Sequence, residues 1–224
     1  MKNLHSMVPE VKVCVCIGNV PFDAIPGMLD KVEMAEIRLD LAELEEDEII
    51  TVFESHPNLV ATCREGRYND AERERLLKLA MECGAAWIDI DDDSDGEWTD
   101  RMIGAVKDSS SRLILSRHYY SHTPPADELR TIVRAMYDRG ADIVKLACHV
   151  NSPREAATLL GLYDGFEGLV AIGMGPLGVI TRLAAPFLGA PFTFASFGDT
   201  EPTAAGQIEY REVTSLIERI SAYG

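Results

Sequence analysis

A lysine inside an apolar segment is the residue whose type and position most directly indicate chemistry. Lys145 lies within residues 142–147, which read DIVKLA and place aliphatic side chains on both sides of it. Lysine is almost never fully buried without a partner, and burial lowers its pKa toward the neutral amine that attacks a ketone. We predict that Lys145 is a catalytic nucleophile with a lowered pKa. Its position is also compatible with a structural ion pair to an inward-facing carboxylate.

A histidine at the end of another apolar segment is the second candidate catalytic residue. His118 follows Ser116 and Arg117 at the carboxyl end of a predicted strand. An imidazole that titrates near neutral pH can take up and return a proton within one reaction cycle. We therefore predict that His118 shuttles protons beside Lys145. Comparable placement is lacking for the remaining histidines, which are His5, His56, His122 and His149.

Three arginines supply local positive charge in a chain whose formal net charge is −16. Arg38 and Arg64 end predicted strands, and Arg182 lies near the start of a predicted helix. Their planar guanidinium groups suit the recognition of a carboxylate or of hydroxyl groups. Glu36 is placed either to hold Arg38 or to accept substrate hydroxyls. The alternative for the arginines is salt bridging with the nearby carboxylates, namely Glu36, Asp40, Asp89 and Asp91.

The segments that must position these residues alternate regularly along the chain. Short apolar runs predict strands at residues 11–18, 34–40, 59–64, 87–91, 113–118, 143–148, 169–174 and 192–197. Helical patterns follow at residues 21–30, 45–55, 70–80, 98–107, 125–138, 153–162, 178–188 and 206–220. Alternating strands and helices predict a parallel sheet with right-handed crossovers. The sequence therefore predicts an α/β fold, a single-domain (β/α)8 TIM barrel over residues 1–224, with its active site at the carboxyl ends of the strands.

Composition argues against several classes of protein. Lys and Arg number 21 against 37 Asp and Glu, so the chain repels phosphate backbones and anionic lipids, and we predict neither a nucleic-acid nor a membrane partner. Residues 168–198 carry one formal charge, but glycines and prolines divide them into pieces too short to cross a bilayer. The five cysteines lack metal-ligand spacing, which predicts reduced thiols in a cytoplasmic protein without a metal.

A glycine pattern near the seventh predicted strand resembles a dinucleotide-binding motif. Gly173, Gly175 and Gly178 have the required spacing. The pattern falls in the seventh unit rather than the first, however, and Pro176 lacks one of the backbone donors that would hold a phosphate. We predict no nucleotide cofactor.

The order of these motifs resembles that of the type I 3-dehydroquinate dehydratases, which form a Schiff base and belong to the shikimate pathway. The resemblance covers nearly the whole chain. Its motifs are EIRLD at 36–40, TCR at 62–64, SRHY at 116–119, DIVKLA at 142–147, MGPLG at 174–178 with Thr181 and Arg182, and TAAGQ at 203–207.

The resemblance implies syn elimination of water from 3-dehydroquinate to give 3-dehydroshikimate. Lys145 would form an imine with the C3 ketone, and His118 would remove the C2 proton and protonate the departing hydroxyl. It also implies a homodimer, a small-molecule substrate and no diffusible cofactor. The implied substrate-binding residues are Arg182 and Gln207 for the carboxylate, and Glu36, Arg38, Arg64 and Thr203, where the family usually has serine, for the hydroxyl groups.

One departure from the family leaves a role open. The family often has a glutamate a few residues after the third-strand arginine, where it orients the catalytic histidine. In this chain Glu65 directly follows Arg64, and a loop glutamate at the usual distance is missing. Glu65, Asp89 and Asp91 remain candidates for orienting His118, and we favour a carboxylate of the fourth strand.

Two other functions are compatible with parts of the pattern. A class I aldolase would share Lys145 but would be expected to have a phosphate site after strands seven and eight. A catalytically silent barrel that binds a polyhydroxy carboxylate would keep the arginines without needing both Lys145 and His118. The three hypotheses differ in the reaction that they predict for 3-dehydroquinate.

Overall fold

Strands and helices alternate in the computed structural model of the protein, which describes residues 12–198, 203 and 206–223. The strands are β1 Lys12–Ile17, β2 Met34–Arg38, β3 Leu59–Thr62, β4 Trp87–Asp91, β5 Arg112–Tyr119, β6 Ile143–His149, β7 Leu169–Met174 and β8 Phe192–Ser196. The α-helices are α1 Ile25–Leu29, α2 Glu46–Ser55, α3 Asp70–Glu82, α4 Gly96–Lys107, α5 Ala126–Asp138, α6 Pro153–Leu160, α7 Val179–Ala184 and α8 Tyr210–Ser221.

The strands form one eight-stranded parallel sheet in the order β7-β6-β5-β4-β3-β2-β1-β8. The order follows the chain except at β1, which pairs with both β2 and β8, so the sheet curves into a nearly closed barrel with β7 and β8 at its two ends. The predicted (β/α)8 fold is confirmed. The predicted domain limits, residues 1 and 224, and the predicted start of the first strand at residue 11 lie outside the described residues. None of the helices within the described ranges has the length and apolarity that crossing a membrane requires.

Most elements lie where the sequence predicts them, but three α-helices differ by four residues at one end. α1 begins at Ile25 rather than at residue 21, α7 ends at Ala184 rather than at residue 188, and α8 begins at Tyr210 rather than at residue 206. The backbone just before α8 is occupied by pairing with β8, because the Ser196 amide donates to the Ile208 carbonyl at 3.0 Å and Ser196 bridges to Glu209. β6 also runs one residue further than predicted and ends at His149.

Along β2, β3, β5 and β6 the interior of the barrel changes from apolar to polar. Side chains two residues apart face the same side of a strand. A buried apolar cluster fills the lower barrel and includes Met34, Val60, Ile114 and Ile143. Two residues further along the same strands stand buried polar residues, Glu36, Thr62, Ser116 and Lys145. The apolar layer therefore forms the floor of a polar site at the carboxyl ends of the strands.

A buried arginine on α3 anchors the end of β3. Arg73 is 1% exposed, and its Nε donates to the carbonyl oxygen of Cys63 at 3.1 Å. Its guanidinium group lies over the Trp98 ring of α4, 4.1 Å from the centroid. Cys63 directly precedes Arg64, so these contacts fix the backbone from which the Arg64 side chain extends.

The glycine pattern after β7 allows close packing of backbone on backbone. A Cβ atom on Gly178 would lie 2.3 Å from the carbonyl carbon and 2.5 Å from the oxygen of Gly173. The turn that leads into α7 can therefore lie directly against β7. This contact gives Gly173 and Gly178 a structural role that does not involve a nucleotide.

Gly178→Ala should lower the free energy of unfolding by about 3 kcal/mol or more, because the added methyl group meets rigid backbone. Gly104→Ala is the matched control, since a Cβ at that position in α4 meets nothing within 4 Å. It should raise the free energy of unfolding by about 0.5–1 kcal/mol. Urea denaturation followed by circular dichroism measures both. Equal transition midpoints for the two variants would contradict the packing argument.

Candidate active site

The carboxyl ends of the strands surround a cavity of about 370 Å³. All eight residues that the sequence singles out for catalysis or substrate binding line it, namely Glu36, Arg38, Arg64, His118, Lys145, Arg182, Thr203 and Gln207. Lys145 and His118 lie on adjacent strands, where Lys145 is in register with Ser116 and His118 with Ala147. This register places the Cα atoms of Lys145 and His118 roughly 8 Å apart on the same face. The structure therefore brings the predicted site residues together, while their roles stay predictions.

Lys145 lies at the bottom of the cavity between two carboxylates. The side chain is 6% exposed, and its Nζ donates to Asp89 Oδ2 at 2.8 Å. Glu36 Oε1 lies 3.5 Å from the same Nζ and also accepts from the Thr62 hydroxyl at 2.8 Å. The Phe194 ring covers the ammonium group from β8, with 4.5 Å between Nζ and the ring centroid.

These carboxylates reverse the predicted direction of the Lys145 pKa. Burial by itself disfavours the ammonium form, but the negative charges of Asp89 and Glu36 outweigh it, and the pKa of Lys145 is raised. The same contacts act in the opposite direction on the acids. Although burial opposes ionisation, Arg64 and Lys145 lower the pKa of Asp89 to about 2. The prediction of a lowered lysine pKa was wrong, because Lys145 forms the ion pair with inward-facing carboxylates that the sequence left open as the alternative.

Asp91 is the carboxylate that contacts His118. Its Oδ1 lies 3.1 Å from His118 Nδ1, which leaves Nε2 as the ring nitrogen available to the cavity. Asp89 is engaged by Lys145, and Glu65 is largely exposed with Arg73 as its ion-pair partner at 3.6 Å. Of the three candidates left open by the sequence, the geometry therefore selects Asp91 on β4.

The His118 ring is held as a neutral imidazole at pH 7. Burial lowers its pKa below the usual value, and the positive charges of Arg64 and Lys145 act in the same direction against the opposing effect of Asp91. Its ring is stacked on that of Tyr120, with 5.8 Å between centroids and 12° between planes. His118 is therefore a base in the protein without ligand, beside a protonated lysine.

Arg64 joins the two carboxylates of β4. Its guanidinium group contacts Asp89 Oδ1 at 2.8 Å and Asp91 Oδ1 at 2.5 Å. The Ser116 hydroxyl donates to Asp89 Oδ1 at 2.5 Å and accepts from Arg64 at 2.9 Å. Arg64 thus connects Asp89, which pairs with Lys145, to Asp91, which pairs with His118. Arg38 is likewise paired, since its Nε and Nη2 donate to the two oxygens of Asp40 at 3.0 and 2.6 Å.

Arg182 differs from the other cavity arginines because no carboxylate within residues 12–198, 203 and 206–223 pairs with it. It is the fourth residue of α7, it is 1% exposed, and its Nη1 reaches the Phe194 carbonyl on β8 at only 3.4 Å. Its Nε is buried without a hydrogen-bond partner in the same ranges. Burial lowers its pKa to about 10. A buried guanidinium that lacks an internal anion is suited to bind an external one.

The segment after β8 supplies the remaining polar groups. Gln207 Oε1 accepts from the Thr203 backbone amide at 3.0 Å. Gln207 Nε2 donates to the Cys16 thiol at 3.1 Å. Burial, together with the nearby charge of Glu36, raises the pKa of Cys16, so this thiol stays protonated. These contacts link the two predicted residues Thr203 and Gln207 to the end of β1.

The cavity is also lined by residues that were not predicted to belong to the site, namely Cys16, Tyr120, Ala147, His149, Ile172, Met174 and Phe194. Strand alternation already predicts that Ala147 shares a face with Lys145. Continued to residue 149, the same alternation would have placed His149 on that face. The statement that His149 lacks a placement comparable to that of His118 was wrong. It rested on a predicted strand that stopped at residue 148.

Asp91→Asn should lower the pKa of His118 further, because the carboxylate that favours the imidazolium is removed and Arg64 loses part of its neutralising charge. Glu65→Gln should leave the His118 pKa unchanged and serves as the control. Titration of the imidazole carbon-bound protons by nuclear magnetic resonance measures this pKa directly. A shift of equal size in both variants, or no shift in Asp91→Asn, would show that Asp91 is not the partner.

Comparison with known proteins extends the geometric result. The family model described as type I 3-dehydroquinase matches residues 20–223. The 3-dehydroquinate dehydratase of Methanosarcina mazei is 31% identical over 206 residues, which cover 84% of this chain and 85% of the relative. That of Dehalococcoides mccartyi is 29% identical over 220 residues, 93% of this chain and 96% of the relative.

Solved structures share the fold. The crystal structure of 3-dehydroquinate dehydratase from Geobacillus kaustophilus has a TM-score of 0.82 at 24% identity and covers 96% of this chain and 93% of its own. The type I enzyme from Clostridium difficile has a TM-score of 0.84 at 21% identity, covering 96% and 94%. With the family model matching almost the whole described barrel, this chain belongs to the type I 3-dehydroquinase family.

Proposed function

We propose that the protein converts 3-dehydroquinate to 3-dehydroshikimate, as a hydro-lyase of the shikimate pathway, through a protonated imine on Lys145. The observation that carries the proposal is the buried Lys145 ammonium, held by Asp89 and Glu36 in the same cavity as a neutral His118. Family membership and the names of the relatives support the substrate. The imine mechanism rests on the chemistry of the site.

Imine formation begins with the transfer of a proton from Lys145 to the neutral His118. The amine adds to the C3 ketone of the substrate, and the carbinolamine hydroxyl takes the proton back from His118 and leaves as water. The product is an iminium that carries one positive charge, as the ammonium did. Asp89 and Glu36 therefore stabilise the charged imine as they stabilise the charged lysine. They reduce the fraction of neutral amine, but they keep the imine protonated, and a protonated imine is the better acceptor of electrons.

Elimination then follows across the C1–C2 bond, whose carbons are β and α to the imine at C3. His118, neutral and oriented by Asp91, removes the C2 proton, and the electron pair moves into the iminium to give an enamine. The enamine expels the C1 hydroxyl, which takes the proton from His118 and leaves as water on the same face. Water then hydrolyses the conjugated imine, which releases 3-dehydroshikimate and restores Lys145.

The unpaired Arg182 and the other polar side chains of the cavity would orient the substrate for this reaction. Arg182 and Gln207 would hold the carboxylate at the end of the cavity bounded by β7, β8 and β1. Glu36, Arg38 and Arg64 would face the ring hydroxyls from β2 and β3, with Thr203 as a further hydroxyl contact. Because the iminium is the electron sink, the reaction as written uses no metal or diffusible cofactor.

We also propose a cytoplasmic location and a homodimer, both as properties expected of the family.

Two rival functions give different results in one assay. A dehydratase forms a conjugated enone from 3-dehydroquinate, and this product absorbs in the ultraviolet. An aldolase would cleave a carbon–carbon bond in its own substrate and leave 3-dehydroquinate unchanged, and a silent binding barrel would bind without turnover. Absence of enone formation by the purified protein would overturn the proposed function.

Lys145→Met should lower kcat by more than about 1,000-fold, because the electron sink is lost. Lys78→Met is the control, since Lys78 lies on the outer face of α3 and pairs with Glu74; it should change kcat by less than about twofold. Enone formation measures the rate, and circular dichroism verifies folding. A wild-type rate in Lys145→Met would exclude the covalent role.

Arg182→Met should have opposite effects on binding and stability. Loss of a charge-assisted contact to the carboxylate should raise KM on the order of 10- to 100-fold. Removal of a buried, unpaired charge should raise the free energy of unfolding of the ligand-free protein by about 1 kcal/mol or more. Steady-state kinetics and urea denaturation test the two effects. A variant that is both less stable and unchanged in KM would assign Arg182 a structural role.

A further inference from the structure

A second histidine lies on the catalytic strand, closer to the open end of the cavity. His149 is the last residue of β6 and shares the inward face with Lys145 and Ala147. It is half-buried and lines the cavity, and its strand partner in register is Met174 at the end of β7. The elimination described above assigns it no role.

The turn after β7 leaves room for the His149 ring. Gly175 has a φ of +80°, and a Cβ on it would lie 3.1 Å from Cε1 of the His149 ring. The carbonyl oxygen of Gly175 in turn lies 3.0 Å from where a Gly206 Cβ would stand, so the segment that carries Gln207 packs on the same turn. The Thr123 hydroxyl fixes the His149 backbone by donating to its carbonyl oxygen at 2.9 Å. The ring is therefore held between β6 and the segment that leads to Arg182.

The ring nitrogens of His149 have no hydrogen-bond partner within residues 12–198, 203 and 206–223. Other polar groups of the cavity are paired in the same part of the chain: Glu36 with Thr62 and Lys145, Arg38 with Asp40, Arg64 with Asp89 and Asp91, and His118 with Asp91. Arg182, whose Nε is buried without a hydrogen-bond partner, resembles His149 in this respect. The two unpaired donors lie on the same side of the barrel, since the turn beneath the His149 ring continues into α7.

We propose that His149 donates a hydrogen bond to the substrate carboxylate and thereby completes the anion site of Arg182. This inference rests on the proposed function and adds a residue to it. The carboxylate is the favoured partner because the groups suited to the ring hydroxyls stand on β2 and β3, across the cavity from β6 and β7. His149 would thus determine affinity for an anionic group rather than the rate of proton transfer.

The test compares an anionic ligand with a neutral one, so that it shows whether His149 contacts the carboxylate. Quinate is a suitable probe because a hydroxyl replaces the ketone, so it binds without forming an imine, and quinamide is its neutral amide counterpart. His149→Met should weaken quinate binding by about tenfold, as expected for a hydrogen bond to a charged group. It should change quinamide binding by less than about twofold. His149→Gln keeps a donor and should restore most of the affinity for quinate.

His122→Met is the matched control, because His122 is exposed, contacts Ser121 and Tyr119 and does not line the cavity. It should leave both ligands unaffected. In turnover, His149→Met should raise KM for 3-dehydroquinate about tenfold and leave kcat within about threefold. Equal weakening of quinate and quinamide, or no weakening of either, would overturn the role of His149 while wild-type enone formation still supports the proposed function. A wild-type protein that neither binds quinate nor forms the enone would overturn both.

Discussion

The arrangement of the site depends on the ion pair between Lys145 and the carboxylates of Asp89 and Glu36, buried at the base of the barrel opening. A charge at this depth costs stability unless it is paired and hydrogen-bonded. The two acids therefore have partners of their own, Thr62 for Glu36, and Arg64 and Ser116 for Asp89. Through Arg64 the network extends to Asp91 and from there to His118. The protonation states of Lys145 and His118 thus belong to one connected set of charges.

Arg182 represents the opposite arrangement, in which a buried charge is left without an internal partner. Pairing it with a carboxylate of the chain would stabilise the fold but would fill the place that the proposed substrate carboxylate needs. The free protein carries this cost as a lowered Arg182 pKa and an unpartnered Nε. The paired lysine and the unpaired arginine stand at different places in the cavity, so the proposed covalent step belongs to its base and the proposed anion binding to the side of β7 and β8. Such a trade of stability for binding is common at active sites.

The barrel and the gathering of the polar side chains around one cavity could be predicted from the sequence, because both follow from local patterns. Alternating apolar strands and helical segments define the fold, and strand ends locate the polar side chains that line the cavity. The direction of the Lys145 pKa could not be predicted from its neighbours in the chain, since Asp89 and Glu36 lie 56 and 109 residues away in sequence. For the same reason the sequence left open whether Arg38 and Arg64 bind ligand or carboxylates of the chain, and which acid contacts His118. His149 was missed because its inward position requires one more residue of strand than the pattern predicts.

In the proposed mechanism the positive charge on Lys145 passes from an ammonium to an iminium and stays beside Asp89 and Glu36 throughout. Addition of borohydride during turnover of 3-dehydroquinate, followed by peptide mass spectrometry, tests this most directly. We expect a reduced adduct that attaches the carbon skeleton of the substrate or product to Lys145 through a secondary amine. An unmodified Lys145 at full occupancy of the site, or an adduct at another residue, would contradict the account.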